Sequence, residues 1–381
     1  MTTFPTNSLS WDKLAYKQDS AFKNLHYGLI HNGFKTTCIS GKNPLFPYIN
    51  HSFIPTTYTL IQNGDLILAD ASEDRKDVGR PVEMLDIGHQ KIVSGLHTIH
   101  ARNKTDLIVN GFKGFYFQSN AMKQQIFKIA NGSKIYGISS SAFNELKMFI
   151  PEKQEQKKIV DLMIKIEERI QTQSKIIKKY ESLIKSIEEK ILWKGNDSSY
   201  VPIKDFLIEK NEKSTIQDQY PVLSSTVKGL FLQSDYFQRE VASSNNIGYK
   251  ITKLNDIIIS PQNLWMGNIT YNDKFENGIV SPSYHIYEIR DGYNKQYIAT
   301  ILKSYKALYR YKSISEQGAS VVRRNLNMDA FLDITFPIPS KRKQDEAGMI
   351  IQQLHLKLDV ENQYLDSLFS QKTYFLNNMF I

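Results

Sequence analysis

Cysteine is nearly absent: Cys38 is the only one in 381 residues. No intrachain disulfide or cysteine-based zinc cluster can form, and a reducing compartment is the expected home. The eight histidines include His97 and His100, but no H-E-x-x-H or comparable metal-ligand set accompanies them, so no metal site is expected. Long apolar runs are missing too. Hydrophobic residues make up 41%, no stretch approaches the ~18 residues of a membrane span, and residues 1–10 lack the basic start and apolar stretch of a secretory leader. The expectation is a soluble, cytoplasmic protein with no membrane partner.

Charge of a single sign is also lacking. Against 39 acidic residues stand 48 basic ones, a net +9, which favours a polyanionic partner without resembling a basic tail. By segment the balance is +5 over residues 1–150 (16 basic, 11 acidic), +3 over 151–194 (11 and 8), +1 over 195–338 (16 and 15) and 0 over 339–381 (5 and 5). Any DNA contact is therefore expected from local patches, with the stronger hold on phosphates in the first half.

Catalytic signatures fail on inspection. Gly28-Leu-Ile-His-Asn-Gly33-Phe34-Lys35-Thr36 looks like a phosphate-binding loop, but Phe34 intrudes between the second glycine and the lysine, which must follow directly to reach the phosphates. Asp65, Asp70, Glu73 and Lys76 lack the alternate spacing that would set two carboxylates and a lysine on one strand face. Neither a G-x-S-x-G elbow nor an N/D-P-P-Y/F methyltransferase sequence occurs. The chain reads as non-catalytic and binds no cofactor of its own.

What is present is repetition. After Phe149-Ile150-Pro151 a helical pattern has core positions Ile159, Met163, Ile166, Ile170, Gln173, Ile177, Tyr180, Ile184, Ile187 and Ile191. After Pro337-Ile338-Pro339 a second has Ala347, Ile351, Leu354, Leu358, Glu361, Leu365, Leu368, Lys372, Phe375 and Met379. Both step 4, 3, 4, 3, the ~3.5-residue period of a coiled-coil seam. Pro339 minus Pro151 is 188, and at that single offset the two frames coincide without a gap, Gln156 falling on Gln344. The preceding segments correspond more loosely: Asp65-Leu-Ile-Leu lies on Asp256-Ile-Ile-Ile at an offset of 191, and Val93-Ser94 on Val280-Ser281 at 187. Short strands are expected at Asp65-Leu-Ile-Leu, Lys91-Ile-Val, Asp256-Ile-Ile-Ile-Ser and Tyr284-His-Ile-Tyr-Glu-Ile. A short helix is expected from Tyr297 to Tyr311, and Phe115, Tyr116 and Phe117 cannot all point inward from one strand. A strand-rich domain followed by one long helix, twice over, is the organisation implied.

This plan resembles the specificity (S) subunit of Type I restriction-modification enzymes, and the resemblance covers essentially the whole chain. Its local marks are Pro151-Glu-Lys-Gln-Glu155-Gln156-Lys-Lys-Ile159, similar to the P-x-x-x-E-Q-x-x-I that opens the family's first spacer, and Ala69-Asp70-Ala71-Ser72-Glu73-Asp74 with Ser94-Gly95-Leu96-His97-Thr98. Gly278-Ile-Val280-Ser281-Pro282-Ser283-Tyr284 resembles a G-x-V-S-P-x-Y of another class of recognition domain. The second spacer departs in having Lys343-Gln344 where Glu-Gln is usual. The resemblance implies an α+β fold: two mixed, strand-rich target recognition domains (1–150 and 195–338) alternating with two long helices (151–194 and 339–381) that pair as an antiparallel coiled coil. It implies that each domain reads one half of a bipartite, asymmetric target in double-stranded DNA. The helices then set the spacing and dock two modification subunits, adenine methyltransferases using S-adenosylmethionine, and restriction subunits with ATP-driven translocation and Mg²⁺ join them. A 44-residue helix (151–194) spans roughly 65 Å at ~1.5 Å per residue, more than one ~34 Å DNA turn.

Base readout needs Arg, Lys, Asn or Gln reaching a groove, with other cations on phosphates. The candidates are Arg75, Lys76 and Arg80, then Arg102, Asn103 and Lys104, in the first domain. In the second they are Gln262 and Asn263 beside Trp265, and Arg323, Arg324 and Asn325 within Ser320-Val-Val-Arg-Arg-Asn. The helix-pairing residues expected are Ile159, Ile166, Ile170, Ile177, Ile184 and Ile191 with Ile351, Leu354, Leu358, Leu365 and Leu368. His97 is expected as a structural histidine bonded within a sheet, and Gln173, Tyr180, Glu361 and Lys372 as breaks that set register or face solvent. Two rival functions remain: a solo DNA endonuclease with unrecognised acids, Asp70 and Glu73 being nearest, and a coiled-coil protein scaffold with no DNA role.

Overall fold

A computed structural model describes residues 1–18, 20–193, 198–236, 245–317 and 323–380. The expected boundary at 194/195 and Ser320, Val321 and Val322 of the second candidate stretch lie outside the described residues. The chain divides into two units, one of Met1–Ile176 with Glu361–Ile381 and one of Ile177–Val360. Each unit therefore holds one strand-rich domain together with one end of each long helix, Lys153–Trp193 and Lys341–Asn378.

In the first unit a five-stranded sheet runs Thr2–Phe4, Thr98–Arg102, Leu66–Ala69, Pro81–Leu85, Cys38–Ser40. All pairings are antiparallel except the last, and Ile67 sits opposite His100. A second sheet orders Leu14–Ala15, Tyr48–Ile49, Phe22–Leu25, Lys91–Ser94. The Leu66–Ala69 strand is buried on both faces, as its unbroken apolar run implies. One face packs with Leu66 and Leu68 against the helix Phe112–Gln118 and the long-helix residues Ile159, Met163, Ile166 and Ile170; the other packs with Ile67 and Ala69 on Ile30, Phe34 and Phe46. Phe34, the residue that spoils the phosphate-loop pattern, is thus core, next to a single wide helical turn Leu29–Gly33.

Phe115, Tyr116 and Phe117 correct a strand-based reading. They lie on the Phe112–Gln118 helix and all three are buried. A helix walled in on every side buries its whole circumference, and here the walls include Phe380, whose ring lies 5.7 Å from both Phe112 and Tyr116.

The second unit centres on a four-stranded antiparallel sheet ordered Leu207–Lys210, His285–Ile289, Ile257–Ile259, Ile269–Tyr271. Smaller ribbons pair Ser199–Pro202 with Thr335–Ile338 and Lys250–Lys253 with Asn277–Val280. Its main core joins Ile257, Ile259, Tyr297, Ile301, Phe331 and Phe336 to Leu192, Ala347 and Ile351 of the long helices. The helix expected from Tyr297 to Tyr311 is two helices, Lys295–Lys303 and Tyr305–Ser313. Ser304 divides them because its hydroxyl accepts from Ala307 N and so caps the second, while donating to Ile301 O.

Two details repeat in both units. Gly64 at φ +81° and Asn255 at φ +74° take the left-handed turn that glycine and asparagine tolerate best. Each precedes an aspartate, Asp65 or Asp256, whose Oδ2 accepts from the backbone N of Gln62 (2.8 Å) or Lys253 (2.6 Å). The second repeat is the glutamine five residues after each spacer proline. Gln156 donates from Nε2 to Pro151 O (2.8 Å) and Leu107 O (3.0 Å), and accepts at Oε1 from Val109 N (2.8 Å). Gln344 donates to Pro339 O (2.9 Å) and accepts from Asn294 N (2.9 Å). Both side chains are buried, and each ties the start of a long helix to a loop of its own domain.

Candidate nucleic-acid interface

The helix seam comes first, because it carries the domains. Along Lys341–Asn378 the positions expected to pair, Ile351, Leu354, Leu358, Leu365 and Leu368, are buried or half-buried, while neighbours such as Gln352, Lys357 and Asp366 are exposed. On Lys153–Trp193, Ile159, Ile166, Ile170, Ile177 and Ile184 are buried and Ile191 half-buried. The seam's polar breaks bond across the helices. Gln173 Nε2 donates to Glu361 O (2.9 Å) and Glu361 Oε2 (2.6 Å), a pair separated by the repeat distance of 188 residues. Lys372 Nζ lies 2.7 Å from Glu167 Oε1. Since 167 precedes 173 while 372 follows 361, the helices run antiparallel within this unit.

Glu167 also leaves the seam. Its carboxylate accepts from Thr37 N (3.1 and 2.9 Å) and Thr37 Oγ1 (2.6 Å), and Gln118 Nε2 donates to that same hydroxyl (2.7 Å). Beneath lies a fully buried pair, Lys113 Nζ to Glu83 Oε1 at 2.9 Å, with Gly114 N donating to Glu83 Oε2. Burial pushes the Glu83 carboxyl up even against Lys113. The same burial, with Glu83 and Glu167 nearby, pushes the Cys38 thiol well up, so it stays an unreactive thiol.

In the first domain the loop 71–80 holds Arg75, Lys76 and Arg80. The Arg75 guanidinium lies 4.0 Å over the Phe127 ring and donates to Phe127 O, while Lys76 is exposed. Arg80 donates to His31 O (3.0 Å) and lies 3.6 Å from Asp77, which His31 Nδ1 meets at 2.6 Å. That hydrogen bond to Asp77 raises the His31 pKa. A cavity of ≈ 230 Å³ opens beside this loop and includes Lys35, Lys76, Arg80 and Lys123; an adjoining one of ≈ 310 Å³ includes Arg75, Lys76 and Lys123.

The other first-domain group does not join this loop. Arg102 is half-buried and engaged within its domain: Nε and Nη2 sit 2.7 Å from the two Asp65 oxygens, and Nη2 also donates to Leu60 O. His100 Nε2 completes the Asp65 shell at 2.7 Å. Burial alone would raise the Asp65 pKa, but the Arg102 and His100 hydrogen bonds and Gln62 N hold it below the ordinary carboxylate range. Lys104 is exposed and lines a different opening, with Met1 and Asn144.

His97 corrects its expectation. It stands outside the sheet in the turn before Thr98–Arg102, at φ +53°, half exposed, with Nδ1 3.3 Å from Asp70. His100, three residues further on, takes the buried structural place. The nearest nuclease candidates stay apart: Asp70 faces His97, Glu73 is exposed, and among the described residues no group of three metal-ligating side chains occurs.

The second domain does bring its two candidate stretches together. Gln262, Asn263 and Trp265 lie on the short helix Pro261–Met266, and Arg324 and Asn325 on the strand Arg324–Leu326. The Arg324 guanidinium lies 5.1 Å from the Trp265 ring and Lys312 Nζ lies 5.9 Å from it. Lys312, missed by sequence reasoning, had a legible signal only in its last-turn position on an aromatic-rich helix. Gln262, Arg323 and Asn325 are exposed. Asn263 Oδ1 and Arg324 Nε are buried without a hydrogen-bond partner, as are Asn103 Oδ1 and Arg75 Nε in the first domain. Core atoms such as His100 Nδ1 and Tyr287 Oη share this condition, so it does not single out a binding site.

Residues 86–182 match the family described as Type I restriction modification DNA specificity domain. No curated protein matches at significant similarity. Among solved structures, the chain is similar to the crystal structure of a Type-I restriction-modification system S subunit from M. genitalium, at 14% identity and TM-score 0.54, covering 100% of this chain and 93% of that one. It is also similar to a chain from a study of complex assembly and conformational transition of the type I R-M system, at 13% identity and TM-score 0.58, covering 93% and 89%. At these identities the structural likeness speaks for the fold. Among the described residues no helix is long and apolar enough to cross a membrane.

Proposed function

We propose, from the premise that this chain is a DNA specificity subunit of a Type I restriction-modification system, that residues 1–150 and 195–338 are two target recognition domains reading the two halves of one bipartite, asymmetric sequence. The chain is the system's non-catalytic member. Residues 151–194 and 339–381 serve as spacers that hold the readers apart and dock two modification subunits, which methylate adenine with S-adenosylmethionine. Restriction subunits carrying ATP-driven translocation and Mg²⁺ join that core. None of these cofactors is assigned to this chain.

The observation that carries the reading is the repeated anchor. Gln156 and Gln344, 188 residues apart, make the same proline-carbonyl and loop-amide bonds, so each reader is fastened to its own spacer by one device. Two readers with unlike loops on like mounts suit a target whose halves differ. The Arg75–Arg80 loop in the first and the Trp265–Arg324 patch in the second are the proposed DNA contacts. Trp265 and its flanking cations offer an aromatic face and guanidinium donors for base edges or phosphates.

The test is a domain exchange. Residues 195–338 are replaced by another recognition domain, and methylated adenines are mapped in cells that carry the modification subunits. One half of the bipartite target changes; a change in both halves, or in neither, defeats the two-reader assignment.

A further inference from the structure

The cavity beside loop 71–80 has an unbalanced lining. Five cationic side chains, Lys35, Lys76, Arg80, Lys123 and Lys372, face one carboxylate, Asp77. Asp77 is engaged by His31 at 2.6 Å and by Arg80 at 3.6 Å, and Lys372 is engaged by Glu167 at 2.7 Å. Among the described residues no carboxylate lies within ion-pair distance of Lys35, Lys76 or Lys123, and the Lys35 ammonium donates only to Asn32 O at 3.3 Å. At Lys123 desolvation lowers the pKa, Asp77 draws it back up, and Lys372 and Arg80 push it down further. Five cations lining one cavity with a single carboxylate, three of them in no ion pair among the described residues, raise the local potential and favour an anion that accepts from several donors at once.

Resting on the DNA-reading role above, we propose that this cavity seats one phosphodiester of the DNA backbone, held by Lys35, Lys76 and Lys123, and thereby sets the register of the first recognition domain without reading a base. The chemistry favours phosphate over an acidic side chain of a protein partner. A phosphodiester presents two anionic and two ester oxygens in a tetrahedral array, whereas a carboxylate presents two in a plane, and lysines suit phosphate as freely orienting point charges. The location agrees. Lys76 shares its loop with Arg75, and with Lys123 the two line the adjoining cavity, so the cationic surface continues past the seat.

The experiment uses the full chain assembled with its modification subunits and measures binding to cognate and non-cognate duplexes over a range of salt. Lys35→Gln/Lys76→Gln/Lys123→Gln is compared with the charge-matched variant Lys17→Gln/Lys91→Gln/Lys134→Gln, whose lysines line neither cavity. The cavity variant loses affinity by the same factor for both duplexes, and its slope of log K against log salt falls by about 0.9, the value for one phosphate contact. A slope equal to that of the matched variant overturns the phosphate seat, as does a loss confined to cognate DNA. Normal DNA binding with failed assembly overturns it in favour of an acidic protein partner. A wild-type complex that binds no DNA at any salt defeats the DNA-reading role itself, an outcome distinct from the other three.

Discussion

The two units fasten their domains to the long helices by one shared device and one unshared one. Gln156 and Gln344 are the shared device. The unshared one is the buried chain Gln118–Thr37–Glu167–Lys372 of the first unit. Shifted by the repeat of 188, Glu167 falls on His355 and Lys372 on Ile184. In the second unit Ile184 is simply buried, and His355, itself exposed, reaches Glu188 at 2.7 Å. One repeated frame thus carries a polar lock in one copy and an apolar seam with a surface pair in the other. Apolar contact gives adhesion without direction, whereas a satisfied buried polar network fixes a single arrangement. The first domain's added lock centres on the buried Thr37 and Glu167, whereas the second adds half-buried pairs, Asn294 Nδ2 donating to Asp345 Oδ1 (2.8 Å) and Trp193 Nε1 to Ser304 Oγ (3.2 Å).

Several substitutions break or sharpen that contrast. The largest effect is expected from Lys113→Met, which strands the Glu83 charge in the first unit's core at a cost of ~3–5 kcal/mol. Hydrogen exchange resolves the units, and protection falls in residues 1–176 first; equal loss in both units would erase the distinction. Acidification acts on the same side. Burial lowers the His26 pKa to about 4, with the nearby His97 adding a smaller effect, and its Nδ1 accepts from Gly28 N, so the folded state keeps this ring neutral while the unfolded chain takes a proton near 6.5. Stability present above ~6.5 is therefore lost as pH falls toward 4, by on the order of 3 kcal/mol. His26→Gln, keeping an acceptor, removes that component of the pH profile.

Glu167→Gln is expected to cost ~2–3 kcal/mol, because Lys372 loses its counter-ion while still largely buried. His355→Gln, at the corresponding position of the second unit, is expected to cost less than ~1 kcal/mol, as for an exposed pair. The His355 pKa is raised by its hydrogen bond to Glu188, so its small contribution is full below the unfolded value near 6.5 and fades as pH rises through the folded one. Urea titration of the two variants reads the difference, and a reversed order would show that the lock is not where the asymmetry lies. The smallest effect is at the seam: Glu361→Leu leaves the Gln173 amide short of its carboxylate partner and costs about 1 kcal/mol, while adding Gln173→Leu restores it. If the single substitution is neutral, the pair does not set register.

Much of the architecture was legible because it is periodic. A seam repeated every 3.5 residues and shared across two segments needs only a helix to become a buried stripe, and runs such as Asp65-Leu-Ile-Leu need only a sheet. Local chemistry was legible in part. Gln156 and Gln344 stood out by their fixed distance from a proline, but their bonds to loops 47 and 50 residues earlier could not be read off spacing. The pairing of Arg102 and the turn position of His97 were illegible for the same reason. Arg102 answers to Asp65, 37 residues before it, and the strand that begins at Thr98 leaves His97 in the turn while carrying His100, three residues on, into the core.

The repeated heptads and the strand-like runs before them by themselves pointed to a strand-rich segment followed by a long helix, twice over, because period acts locally and uniformly along the chain. Which cations remain available to a partner was decided only by the tertiary structure. Charge is neutralised through space: Asp65 takes Arg102, Glu167 takes Lys372 and Asp77 takes Arg80, and what is left at Lys35, Lys76 and Lys123 is the remainder of pairings between residues far apart in the chain.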